Sequence, residues 1–177
     1  MSEIDSAPTE PESHPFGRAL VQELIGIHSV LRRDLGVVLR LAADVAAGAP
    51  AEQARRQVRE LESNSPIWQL KINCMYYCRF VHGHHTFEDN AWFPALRKAD
   101  PEIDPVIDKL EDDHERISKH TEAVVIAADQ LDEDASPEGR GRLTAALEQL
   151  AEQLIEHLDY EEEAISPTLR SLERWPR

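Results

Sequence analysis

Two histidines in this chain each stand four residues ahead of a glutamate: His84 ahead of Glu88, and His157 ahead of Glu161. On a helix, residues i and i+4 share a face one turn apart, so each pair offers an imidazole and a carboxylate to one point in space. That is a metal-ligand pair. The pairs belong to a longer stretch written twice, H-x-x-x-E-[DE]-x-A-x-x-P-x-L, which runs from His84 to Leu96 and again from His157 to Leu169. The alignment sets Asp89 against Glu162, Ala91 against Ala164 and Pro94 against Pro167. One further histidine lies upstream of each copy inside an apolar helical pattern, His28 before the first and His114 before the second. The chain therefore reads as two similar halves.

Four imidazoles and two carboxylates suit two borderline transition ions better than one, since a single ion rarely takes six such protein ligands. Each half can give one ion two histidines, while Glu88 and Glu161 are long enough to bridge. A shared oxide or hydroxide would bring each ion to about five-coordinate and leave a position open for a small ligand. A lone histidine on an apolar face is more often a hydrogen-bonded core residue, and a single HxxxE pair is often a surface pair. Two aligned copies, each with an upstream inner-face histidine, favour convergence. His82 and His85 are read as pointing off the face that His84 shares with Glu88. His85 is the closest rival, because His85 and Asp89 are also i and i+4; the alignment places Leu158 opposite His85 and decides for His84. His14 and His120 are expected at the surface.

The elements that must position these groups can be read in order. Residues 1–15, with Pro8, Pro11 and Pro15, lack the apolar content to pack and are expected to form a disordered tail. Leu20, Leu24, Ile27, Leu31, Leu35, Val38 and Ala42 recur at helical spacing, predicting a first helix over 16–47 with Gly48 placed to end it. The polar, helix-compatible 50–62 predicts a short exposed helix in the connection. Ser65-Pro66 reads as a cap and first helical residue, opening a second helix to about 96 that Pro94 bends or ends. Val106 to Ala128 mark a third helix, and Ser136-Pro137 opens a fourth that carries Leu143, Leu147, Leu150, Leu154, His157 and Glu161 inward. Such helices predict an antiparallel up-down-up-down four-helix bundle over 16–172, with 173–177 as a C-terminal tail. At 1.5 Å per residue, all six candidate ligands fall within about a turn of one another in height.

These residues resemble the hemerythrin-like (HHE cation-binding) family, over roughly 16–172. The resemblance is carried by His28, by His84-x-x-x-Glu88 with Trp92-Phe93-Pro94-x-Leu96, by Asp113-His114, and by His157-x-x-x-Glu161 with Pro167-x-Leu169. It implies a four-helix bundle holding a non-heme diiron centre, two iron ions with a bridging oxo or hydroxo group, histidine ligands and bridging carboxylates. Oxygen-carrying hemerythrins are expected to have a second histidine one turn after the one at His114, where this chain has Ser118, and their fourth-helix carboxylate is an aspartate at i+5 rather than Glu161 at i+4. The chain looks more like the branch with the symmetric H-HxxxE-H-HxxxE pattern, some members of which are linked to peroxide decomposition and nitric oxide chemistry. Fewer histidines and a more symmetric pair favour redox turnover with peroxide, oxygen or nitric oxide over oxygen storage; the alternative is an iron- or oxygen-sensing module without turnover.

Tyr77, seven residues before His84 on the same face, is placed to donate a hydrogen bond near the metals or to coordinate one, or else to pack with its hydroxyl on a carbonyl, the commoner arrangement. Tyr160 lies between the fourth-helix ligands and can support them from behind. Glu111 and Asp113 are read as outer or surface carboxylates. Cys74 and Cys78, one helical turn apart, offer no disulfide framework and read as core residues of a reducing compartment.

Composition bounds the remainder. With 177 residues, 41% hydrophobic and only 7 Gly, the chain suits one mostly helical domain. The balance of 34 acidic against 19 basic residues, −15 overall, disfavours nucleic acid and anionic membranes as partners, which need clustered Lys and Arg, and leaves a small molecule as the expected one. With no apolar run of about 18 residues and no basic-then-apolar leader, the expectation is a cytoplasmic protein.

Overall fold

The computed structural model describes residues 13–47, 66–131 and 136–176. The short helix expected in the first connection lies outside the described residues, as does most of the N-terminal tail. Four long helical segments carry the rest: α1 (Pro15–Ala46); α2 (Pro66–Phe87), which continues through a π-helical turn (Glu88–Trp92) into α3 (Phe93–Ala99); α4 (Asp104–Asp129), after a 3-10 turn (Pro101–Ile103); and α5 (Pro137–Ser171). There is no strand among the described residues.

Each long helix packs on two neighbours, α1 and α4 both lying between α2 and α5. Contacts run in opposite sequence directions across every neighbouring pair. Along α1 and α5, His14 meets Arg170 while Arg32 meets Asp159; along α2 and α4, Lys71 reaches the Leu131 carbonyl while Asp89 meets His114. The bundle is antiparallel up-down-up-down, as the spacing of apolar residues predicts. Each helix contributes one apolar stripe because residues three and four apart share a face.

Prolines mark the helix starts and modulate the ends. Pro15, Pro66 and Pro137 open helices where an unpaired N–H is expected anyway, and the Ser136 hydroxyl accepts the Gly139 N–H at 3.1 Å. Pro94 does not end its helix. The Phe93 N–H bonds to the Glu88 carbonyl, the five-residue spacing of a π turn, immediately before the proline that would otherwise crowd the preceding turn. Pro167 is carried inside α5 at an exposed position, and the helix continues to Ser171.

The core comes in two parts. One cluster takes Leu31, Leu35 and Val38 of α1, Leu70, Cys74 and Val81 of α2, Ile117 and Val124 of α4, and Leu143 to Leu158 of α5. The other takes Val21 and Leu24, Trp92, Phe93 and Leu96, Ile107 and Leu110, and Ile165 and Leu169. On every helix the changeover falls at the candidate ligands, between Leu24 and Leu31, Val81 and Trp92, Leu110 and Ile117, and Leu158 and Ile165. A single polar layer thus crosses the bundle, at the height predicted by counting residues from the helix ends.

One close approach fixes where α1 meets α5. A Cβ on Gly17 would stand 2.2 Å from the Leu169 carbonyl oxygen, whereas one on exposed Gly26 would meet nothing within 4 Å. Two alanine substitutions in the same helix should therefore act in opposite directions. Gly17→Ala is expected to destabilise the protein by about 1–3 kcal/mol through overpacking, and Gly26→Ala to stabilise it by about 0.5–1 kcal/mol through helix propensity. Urea unfolding of the two variants checks the pair.

Candidate metal centre

Seven side chains from four helices make up the polar layer: His28 of α1, His84 and His85 of α2, Glu88 at the start of the π turn, His114 of α4, and His157 and Glu161 of α5. All are buried, with His28, Glu88, His157 and Glu161 at 0–1% exposure. Their ligand atoms fall into two groups, His28, His84, Glu88 and Glu161 in one and His85, His114 and His157 in the other. Within the first, His28 Nε2 lies 3.1 Å from His84 Nε2 and 3.3 Å from Glu161 Oε2, and His84 Nε2 lies 3.3 Å from Glu88 Oε1. Within the second, the Nε2 atoms of His114 and His157 are 3.1 Å apart. The glutamates join the groups: Glu88 Oε2 is 3.6 Å from His114 Nε2, and Glu161 Oε2 is 3.6 Å from His157 Nε2.

The polar accounting of this layer does not close with protein atoms alone. None of the four carboxylate oxygens of Glu88 and Glu161 has a hydrogen-bond partner, and neither does His85 Nε2. Burying a charged carboxylate without donors is costly enough that the group either takes up a proton or finds a cation. Burial, and next the nearby Glu161 carboxylate, push the Glu88 carboxyl well above its ordinary range. Burial, with the neighbouring imidazoles, lowers His84 and His157 to about 3 and drives His85 well below its usual value. Those three imidazoles are neutral at pH 7, the form that coordinates metal. Ligand atoms 3.1–3.6 Å apart also match neighbouring positions around an ion bound at about 2.1 Å. The residues present fit a pair of cations.

Behind the layer, outer carboxylates orient the rings. His28 Nδ1 lies 2.9 Å from Glu162 Oε1 and His114 Nδ1 lies 2.7 Å from Asp89 Oδ1. These contacts are reciprocal: the acidic residue that follows the glutamate in each half holds the upstream histidine of the other half. Arg32 in turn donates to Glu162 at 2.7 Å and to Asp159 at 2.6 Å. Asp113 sits 3.7 Å from His157 Nδ1 and is paired with Lys109 and Arg116. Glu111 is taken by Arg97 at 2.9 Å.

His28, His84, Glu88, His114, His157 and Glu161 are brought together as their spacing predicts. The reading of His85 is corrected. It does not point away from the others but is 5% exposed, stacked on the His114 ring at 4.0 Å and edge-on to His157 at 5.1 Å. Successive helical residues are about 100° apart, so His84 and His85 flank the inward line of α2, one turned towards α1 and the other towards α4. Leu158, its counterpart in the repeat, is buried in the core instead, and at this position the two halves differ. The helical spacing of His85 and Asp89 was visible, but Asp89 goes to His114. His85 supplies from α2 an imidazole that Ser118 does not supply from α4.

Tyr77 donates its hydroxyl to the Leu31 carbonyl at 3.2 Å, the packed arrangement, and burial raises its pKa. Tyr160 packs in the second core cluster and carries the Lys109 ammonium 3.9 Å over its ring. His82 is exposed and His120 half-buried. His14 precedes α1, near Glu173. Cys74 and Cys78 are buried thiols pushed up to about 12 and about 11, mainly by desolvation, and therefore inert.

Residues 69–169, more than half of the chain, match the family model of the hemerythrin HHE cation binding domain. The chain belongs to that family. The matched stretch contains every ligand candidate except His28, which α1 adds. Comparison with curated proteins and with solved structures gave no match. No described helix is long and apolar enough to cross a membrane.

Two outcomes are expected of the metal-free protein. His84 and His157 have folded-state values near 3 against about 6.5 in the unfolded chain. The stability they contribute is fully present above about pH 6.5 and is lost as the pH falls towards 3, because the unfolded chain takes up the protons first. Thermal unfolding between pH 7 and pH 4 should show Tm falling, and His84→Leu should flatten the slope. Glu88→Leu, which replaces a buried carboxyl with a side chain the core can pack, should raise the Tm of the metal-free protein while weakening cation binding. A lower Tm would mean that the carboxyl stabilises the fold without metal.

Proposed function

We propose that this domain holds two iron ions between its two groups of ligands and turns over small oxidants, hydrogen peroxide, oxygen or nitric oxide. The observation that carries the reading is the pair of buried carboxylates, each reaching imidazoles of both groups and neither having a protein donor. Imidazole and carboxylate together suit iron better than soft-ligand metals. The ligand assignment is His28 and His84 on one ion, His85, His114 and His157 on the other, and Glu88 and Glu161 shared.

When bound, the iron pair with its oxygen bridge supplies redox equivalents and Lewis acidity. The chain's own residues do the remainder. Asp89 and Glu162 fix the orientation of His114 and His28 and make those rings more basic, which favours the oxidised metal. The two apolar clusters keep bulk water from the layer along the bundle axis. Tyr77, committed to Leu31, serves the packing beside the site rather than the reaction.

Turnover no longer rests on equal halves. A split of two and three imidazoles leaves one ion with fewer protein ligands, and this unequal arrangement favours the second reading, reversible binding or sensing without turnover. The basic, carboxylate-backed imidazoles favour the first.

Metal analysis and peroxide assay separate the readings. About two irons per chain with an oxo-to-iron absorption band, and oxygen evolution from peroxide lost in His84→Ala, are expected for turnover. A stable reversible oxygen adduct without peroxide consumption would replace it with the second reading, and an iron-free protein after careful loading would overturn both.

A further inference from the structure

The centre can be approached from four sides, which differ in the room they leave. Between α1 and α5, Arg32 spans Glu162 and Asp159. Between α4 and α5 a crevice reaches His157 but holds only about 120 Å³ and is laced by the Lys109–Asp113 and Arg116–Asp113 pairs. Between α1 and α2 the cavity of about 420 Å³ is lined by Asp34, Val37, Asn73, Tyr76, Tyr77 and Phe80, none of them among the seven side chains of the polar layer. The α2–α4 face is different. A cavity of about 440 Å³ opens there among exposed His82, Thr86, Glu115 and Ser118, and its wall includes buried His85 and His114.

We infer that this α2–α4 cavity is the vestibule through which small molecules reach the centre, and that it admits uncharged molecules in preference to anions. The inference rests on the diiron reading above. Its room comes from Ser118 and Thr121, short side chains where a longer one from α4 would fill the space. Its inner wall is formed by His85 and His114, two of the ligands assigned above. Carboxylates hold His28 and His114, whereas no described side chain hydrogen-bonds to His85, which is held by stacking on His114. The lining carries Asp89, Glu111 and Glu115 and no Lys or Arg; Arg97 offsets Glu111 from outside it, so the excess negative charge of Asp89 and Glu115 repels anions and leaves neutral peroxide, oxygen or nitric oxide unopposed.

The test is stopped-flow binding to the iron-loaded protein, with nitric oxide as the neutral probe and azide as the anion. Ser118→Trp, at an exposed position outside the ligand set, should slow nitric oxide binding about tenfold or more while iron content and absorption spectrum stay as in the parent. Glu115→Lys should speed azide binding, most at low salt, and leave nitric oxide unchanged. Asn73→Trp, which fills the α1–α2 cavity instead, should change neither rate. An iron-loaded Ser118→Trp protein that binds nitric oxide at the parental rate overturns the route while leaving the diiron centre standing. Azide rates indifferent to Glu115→Lys overturn the charge selection. A chain that takes up no iron overturns the centre and the vestibule together.

Discussion

Two carboxylates buried at mid-bundle without donors are the constraint on which the rest of the molecule depends. Glu88 and Glu161 lie at 0–1% exposure among imidazoles, and none of their four carboxylate oxygens has a hydrogen-bond partner. Neither hydrophobic packing nor the backbone compensates them. The bundle is organised to tolerate this arrangement: apolar clusters above and below provide the burial that holds four helices together, and the layer between them is left for cations to complete. Stability and function are therefore set against each other in the same seven residues.

The repeat explains much of the geometry. Each half supplies an upstream histidine, a histidine–glutamate pair and an acidic residue that crosses to orient the other half's upstream ring, so neither half is complete alone. His85 breaks the pattern. With Leu158 as its counterpart, one group gains an imidazole while the opposite position contributes to the core, and identical ligand motifs become two unlike sites. His85 brings an imidazole from α2 to stack on His114 of α4, and Ser118 lies beside a cavity.

Much of this was legible from spacing. Apolar residues three and four apart set the four helices, and counting along them placed His28, His84, Glu88, His114, His157 and Glu161 at one height, because a helix converts sequence separation into distance at a fixed rate. What the repeat could not convey was orientation about the helix axis beyond one face. Two adjacent histidines on a helix packed between two neighbours can both point inward, and alignment to Leu158 argued against this. For Pro94 the spacing left bending and ending open; the π turn before it lets the helix continue to Ala99, a local irregularity that propensity does not reveal. The [DE] position of the repeat was visible as a pattern, but its role needed the partner helix.

The polar layer has a further consequence for how the chain finds its native alignment. Purely apolar stripes on long helices permit sliding by a turn, since one leucine fits another's hole almost as well. Here a one-turn slip of any helix would thrust a histidine or glutamate into a greasy stratum and strand its former companions. The polar belt consequently acts as an index mark for the whole assembly, and the same atoms that would grip ions also tell four rods where to stop.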